Sequence, residues 1–156
     1  MYAGIDYDSF GIHVVLLPDE GPPRYLPFVM HGHDAFERTR AVRDVMPSRG
    51  WWEDEGVIAI GIEEPMGQNT RPVNRVQGAV LACLPASVLV QPFRPGEWRY
   101  AVKLPGNASK DIVAEFVAEQ FFGEIGAALI GDWPQDACDA YCLALAVQKL
   151  TAPVAS

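Results

Sequence analysis

Val57-Ile-Ala-Ile-Gly-Ile62 is a continuous apolar run that ends abruptly in Glu63-Glu64-Pro65. A run of strand length without polar alternation suits a parallel strand covered by helices on both faces. Downstream, Thr70 is placed to cap a helix over 72–84, and a second apolar strand follows at 87–91, which makes a β-α-β unit. Upstream, β-rich runs at 2–7, 11–17 and 25–30 are separated by Asp8-Ser9 and by the turn-rich Pro18-Asp-Glu-Gly-Pro-Pro23, as in an antiparallel meander. A meander followed by βα units predicts an α/β fold: a mixed five-stranded sheet with helices on both faces.

The remaining helices follow from their end signals. Asp34 with Glu37 is a capping-box pattern that opens a helix stopping near Pro47. Arg49-Gly50-Trp51-Trp52 reads as loop, with the tryptophans roofing the core, and 92–100 reads as loop or irregular helix. Asn107 is placed to cap a helix over 108–122, and Asp132 with Gln135 a last helix over 133–150. Residues 151–156 are expected to fray, leaving one domain over 1–150.

Composition narrows the class. With 156 residues, 49% of them hydrophobic and 21% charged, the chain is globular rather than disordered, collagenous or membrane-embedded. No apolar run approaches the roughly 18 residues of a membrane span, and the chain opens directly on a strand without a signal-like segment, so an intracellular protein is expected. Three cysteines, Cys83, Cys138 and Cys142, lack zinc-ribbon spacing and read as reduced, buried thiols. A net charge of −8 tells against a polyanionic partner, but its distribution does not. From 71 to 110, six basic residues (Arg71, Arg75, Arg94, Arg99, Lys103, Lys110) face one acid, Glu97.

Four acids stand at element ends, where a rigid scaffold aims side chains at one point. Asp6 follows Gly4-Ile5 inside a strand, a costly place for an unpaired charge. Glu63 closes the apolar strand, where open α/β sheets place ligands. Asp136 and Asp139, three apart, share one face of the last helix near its start. Each alone is most simply a capping or solvated residue; together they suit hard divalent cations, which take oxygen ligands. Two such ions, roughly 4 Å apart, activate the attacking water and stabilise the leaving oxygen of a phosphodiester.

Gly4-Ile5-Asp6, Ile62-Glu63 at a strand end and Asp136-Ala-Cys-Asp139-Ala140 opening a final helix resemble, in order and separation, the RuvC-type Holliday junction resolvases of the RNase H-like superfamily. Gly106-Asn-Ala108-Ser-Lys110 is similar to that family's Gly-x-Ala-x-Lys segment, whose lysine lies near the site. The resemblance spans residues 2 to about 150. It implies a homodimeric endonuclease that nicks four-way DNA to leave 5′-phosphates. Two Mg²⁺ or Mn²⁺ ions per site would be held by Asp6, Glu63, Asp136 and Asp139, with Lys110 at the scissile phosphate. Arg71, Arg75, Arg94, Arg99 and Lys103 would grip the sugar-phosphate backbone without reading bases. Two departures stand out. Tyr7-Asp8-Ser9 replaces Pro-Gly-Ser, adding Asp8 near the ions, and Met66 stands where the family has an aromatic, offering a softer wedge against a base. Such drift suits a phage-encoded member, acting in the cytoplasm of a bacterium or infected host.

Other patterns carry less. His31-Gly-His33 lacks a third ligand and reads as loop, and Glu53-Asp-Glu55 as a solvated one. The Gly106–Lys110 stretch lacks the glycine spacing of a P-loop, which argues against a nucleotide cofactor, and the chain is too short for an actin-like phosphotransferase. Val73, Val76, Val80 and Leu84 form a helical stripe, read as core or as a self-association face. Two alternatives to a junction resolvase stay open: a nuclease of the same fold acting on RNA, forks or flaps, and a non-catalytic DNA-binding or assembly protein.

Overall fold

The computed structural model describes residues 1–66, 70–120 and 133–152. Five strands, β1 (Tyr2–Tyr7), β2 (Gly11–Leu17), β3 (Arg24–Val29), β4 (Ala59–Glu63) and β5 (Leu89–Phe93), form one sheet in the order β3-β2-β1-β4-β5. The meander β1-β2-β3 is antiparallel, whereas β1, β4 and β5 run parallel, as the unbroken apolar run at 57–62 requires. The described helices are α1 (Ala35–Val45), α2 (Arg49–Asp54), α3 (Arg71–Cys83), α4 (Pro95–Ala101), α5 (Lys110–Gln120) and α6 (Gln135–Thr151). None of them is long and apolar enough to cross a membrane.

Strand alternation divides the apolar side chains between two cores. Ala3, Ile5 and Tyr7 of β1, with Ile12, Val14 and Leu16 of β2 and Ile60 and Ile62 of β4, pack with Val42, Trp52, Val76 and Val80 on the α1–α3 face. Tyr2, Val15 and Ala59 point the other way, to a core completed by Trp98, Val113, Val117 and the buried side of α6. Asp6 and Glu63 fall in the second set by the same period-two rule, so both face α6. That helix lies across β1, β2 and β4.

α6 sits on the sheet at backbone contact distance. A Cβ at Gly4 would lie 1.8 Å from the Ala140 carbonyl oxygen, and one at Gly61 would lie 2.3 Å from that of Leu143. The two glycines are register partners across β1 and β4, forming a bare strip into which Ala137, Ala140 and Ala144 settle. The seat fixes how far the first turns of α6 stand from the ends of β1 and β4.

Several local expectations are corrected. The 49–52 stretch is the helix α2, capped by Ser48, whose Oγ accepts from Trp51 N at 3.4 Å. Trp52 is wholly buried against the edge of the Trp51 ring, which supplies the apolar anchor that such a short helix needs. Residues 95–101 form α4: Pro95 occupies the favoured first position, and Glu97 accepts from Arg94 N at 2.9 Å. Thr70 makes no side-chain cap, and α5 begins at Lys110, with Ser109 Oγ rather than Asn107 facing the Ile112 N–H. α6 begins two residues later than expected and includes Thr151. Asp132, the 121–122 end of the preceding helix and residues 153–156 lie outside the described residues. The stripe Val73, Val76, Val80 and Leu84 is core, not a free self-association face. Asp34 does cap α1, accepting from Phe36 N and Glu37 N at 2.8 Å each. All three cysteines are free thiols; Cys138 and Cys142 are buried and Cys83 is half-buried, short of the full burial expected.

Candidate metal and nucleic-acid site

Because β1, β4 and β5 run parallel, their carboxyl ends share one edge of the sheet, and the α6 N-terminus meets it there. Asp6, Glu63, Asp136 and Asp139 all lie in this corner and are all half-buried. They are within electrostatic reach of one another. Asp6 is held well above the ordinary carboxylate range, first by burial and then by Glu63, Asp139 and Asp136, against a lowering bond from Tyr7 N. Burial also raises Glu63, against a hydrogen bond from Trp98, and raises Asp139, against one from Gln135 and the charges of Arg99 and Lys110.

Each of the four has one oxygen turned to a protein donor. Asp6 Oδ1 accepts from Tyr7 N at 2.9 Å, and Glu63 Oε2 from Trp98 Nε1 at 2.8 Å. Asp139 Oδ1 accepts from Gln135 Nε2 at 3.0 Å, and Asp136 Oδ2 stands 3.5 Å from His13 Nε2. Tyr7 adds a strut by donating its hydroxyl to the Glu63 carbonyl at 2.7 Å. These partners fix carboxylate orientation as outer-shell groups do around metals.

The donors fit a hard divalent cation, which takes oxygen ligands: four carboxylates share the corner. Burial, then Asp139 and Asp136, push Cys138 up to about 11, and Cys142 higher still, so both keep their protons. The acids are neighbours rather than a closed cage. Among the described residues, no three acidic, histidine or cysteine side chains already meet around one point.

The basic residues divide into two groups. Arg99 is half-buried against the Trp98 ring at 4.8 Å, donates to Gly106 O at 3.2 Å and lowers both Glu63 and Asp139. Its Nε is buried without a hydrogen-bond partner among the described residues. Arg99 therefore belongs to the carboxylate corner, not to an outer rim. Arg71, Arg75, Arg94, Lys103 and Lys110 are exposed, as is Met66. Arg71 and Arg75 open α3, and Arg94, which pairs with Glu64 at 3.4 Å, precedes α4. In the chain α3 follows β4, and α4 follows directly on β5.

Lys103 has a φ of 69° and ends α4 in a Schellman motif, with Lys103 N donating to Tyr100 O and Leu104 N to Arg99 O. Glycine usually fills that position, so a lysine there carries local strain.

Asp8 is committed elsewhere: its Oδ1 accepts from Phe10 N and Gly11 N and closes the β1–β2 turn. His31 and His33 are exposed loop residues. Sequence reasoning missed His13, Tyr25, Trp98 and Gln135. His13 was recoverable in part, since it pairs with Asp6 across β1 and β2 once the turn length is known.

Neither a family model nor a curated protein matches the chain. Solved structures do. The Thermus thermophilus RuvC structure is 24% identical, with a TM-score of 0.61 over 94% of this chain and 92% of that one. T. thermophilus RuvC in complex with Holliday junction substrate is 22% identical, with a TM-score of 0.65 over 94% and 91%. The chain has the RuvC fold. Its sheet order, with β1 central and α6 across it, is thus the RuvC-like, RNase H-like arrangement, and the carboxylate corner lies at the carboxyl edge of that RuvC-like sheet.

Proposed function

We propose that this chain is a structure-selective DNA endonuclease that resolves four-way junctions as a homodimer, using Mg²⁺ or Mn²⁺. One observation carries the reading. Four half-buried carboxylates from β1, β4 and α6 share one corner of a fold whose solved neighbour was captured on a Holliday junction. A non-catalytic scaffold would have no reason to keep mutually repelling acids partly out of water.

Asp6, Glu63, Asp136 and Asp139 would hold two cations, which when bound supply an activated water and charge compensation at the 3′-oxygen, leaving a 5′-phosphate. Lys110, close enough to lower Asp139, places a point charge beside the scissile phosphate. Arg99, braced on Trp98, offsets part of the rise that burial imposes on Glu63 and Asp139. Arg71, Arg75, Arg94 and Lys103 hold the backbone, and Met66, 59% exposed, offers an apolar wedge. A two-fold dimer matches the two nicks that a four-way junction needs.

The test is to incubate the protein with labelled four-way, three-way, flap and linear DNA and with RNA, in Mg²⁺ or Mn²⁺, and to map every nick. Paired symmetric nicks in the four-way DNA are expected. Cleavage confined to RNA, flaps or linear duplex would move the assignment to another nuclease of this fold, and binding without any cutting would end it.

Lys103→Gly separates stability from DNA affinity at one position. Relief of the left-handed conformation is expected to raise stability by about 0.5–1 kcal/mol in urea unfolding. Loss of a phosphate contact should weaken four-way DNA binding and reduce the slope of log affinity against log salt by about 1. An unchanged salt slope would remove Lys103 from the interface.

A further inference from the structure

We propose that His13 is a positioning residue for Asp136, oriented by Tyr25, so that one Asp136 oxygen is steadied by the protein and the other is presented to a cation. This rests on the reading of Asp136 as a cation ligand. β1 and β2 pair Asp6 with His13, so His13 shares the face that carries Asp6 and looks toward α6. Its Nε2 stands 3.5 Å from Asp136 Oδ2, while its Nδ1 lies 2.7 Å from the Tyr25 hydroxyl. The two rings lie parallel within 5° at 6.0 Å, and Tyr25 leans on Trp133 at 5.6 Å, so the imidazole is held from behind.

The geometry suits a neutral imidazole protonated on Nε2. In the tautomer with the ring proton on Nε2, the Tyr25 hydroxyl donates to Nδ1 and the Nε2–H is aimed at Asp136. At 3.5 Å the contact is longer than a full hydrogen bond and guides the carboxylate electrostatically. Asp6, Glu63 and Asp139 each accept from a donor of their own, and His13 faces Asp136 in the corresponding place.

The experiment measures Mn²⁺ affinity directly, from the free-ion electron paramagnetic resonance signal, in the full chain without DNA. Loss of an outer-shell partner typically weakens metal binding about 10- to 100-fold, and His13→Ala is expected to fall in that range. His13→Gln, whose amide can donate to Asp136, should recover part of the loss, and Tyr25→Phe should weaken binding by less than His13→Ala. Asp136→Asn provides the reference. If Asp136→Asn weakens Mn²⁺ binding and His13→Ala does not, the inference falls and the proposed function stands. If Asp136→Asn has no effect, Asp136 is not a ligand and both readings fail at that residue. Failure of His13→Gln to recover any affinity, or a nitrogen coupling in the parent's Mn²⁺ spin-echo spectrum that disappears in His13→Ala, would also overturn it, the latter by making His13 a ligand.

Discussion

Asp6→Asn is expected to lower cleavage of four-way DNA by at least about a thousandfold while raising the melting temperature of the protein in chelator at neutral pH. Both effects come from one carboxylate. A cation and its ligands supply several kcal/mol of charge stabilisation at a reacting phosphate, and a loss of about 4 kcal/mol is about a thousandfold in rate. In cation-free solution the same group is a liability. Burial, and after it Glu63, Asp139 and Asp136, raise Asp6 above its ordinary range, so the folded chain holds that proton more tightly than the unfolded chain. Its contribution to stability is therefore fully present below the ordinary carboxylate value of about 4 and is lost as pH rises through the raised folded value. Among the described residues, the charged or titratable groups around Asp6 include Glu63 on β4, Asp136, Asp139, Cys138 and Cys142 on α6, His13 on β2, Tyr7 on β1, Arg99 on α4 and Lys110 on α5. Glu63 and Asp139 are raised as well and act in the same direction. The parent in chelator should thus lose stability from mildly acid to neutral pH more steeply than Asp6→Asn does. Saturating Mn²⁺ should reverse the order, adding about 2.7 kcal/mol to the parent at a hundredfold excess over its dissociation constant and far less to the variant. A variant that cuts as well as the parent, or that melts lower in chelator at every pH, would remove Asp6 from the site.

What the sequence disclosed depended on whether a signal was local. The apolar run at 57–62 and the β-rich run at 2–7 state their burial in consecutive residues, and the two strands follow from them. Asp6 and Glu63 were visible because they interrupt or end such runs, and Asp136 and Asp139 because a spacing of three puts both on one face. Their supports were not legible in the same way. His13 reaches Asp136 through strand register, and Trp98 reaches Glu63 through the packing of α4, neither of which has a sequence period. α2 escaped notice because one buried tryptophan, not a repeating stripe, anchors it, and α4 was left between loop and irregular helix because it is short and opens on Pro95, which suits the first helical position. Arg99 was grouped with the phosphate-gripping cations by its charge and by the family resemblance. Its stacking on Trp98 and its pull on Glu63 and Asp139 show a different environment.

Gly4→Ala is expected to cost at least about 3 kcal/mol of folding stability, the upper end for an overpacked core and a large part of the roughly 5–15 kcal/mol that a domain has. The added methyl would lie 1.8 Å from Ala140 O and 2.6 Å from Ala144 N. These are backbone atoms, so no side-chain rotation relieves the clash and α6 must lift from the sheet. Gly61→Ala meets Leu143 O at 2.3 Å and should behave alike, with a somewhat smaller loss. Lifting α6 carries Asp136 and Asp139 away from Asp6 and Glu63, so a Gly61→Ala protein that still folds should also bind Mn²⁺ more weakly. Gly78→Ala is the control within the same experiment. It lies on the exposed side of α3, where an added methyl would meet nothing within 4 Å, and alanine there should raise stability by about 0.5–1 kcal/mol through helix propensity. Urea unfolding of the three variants beside the parent reads all of these outcomes. A Gly4→Ala protein within about 1 kcal/mol of the parent would mean that overpacking is absent, that α6 does not rest on β1, and that its acids have no fixed distance to Asp6.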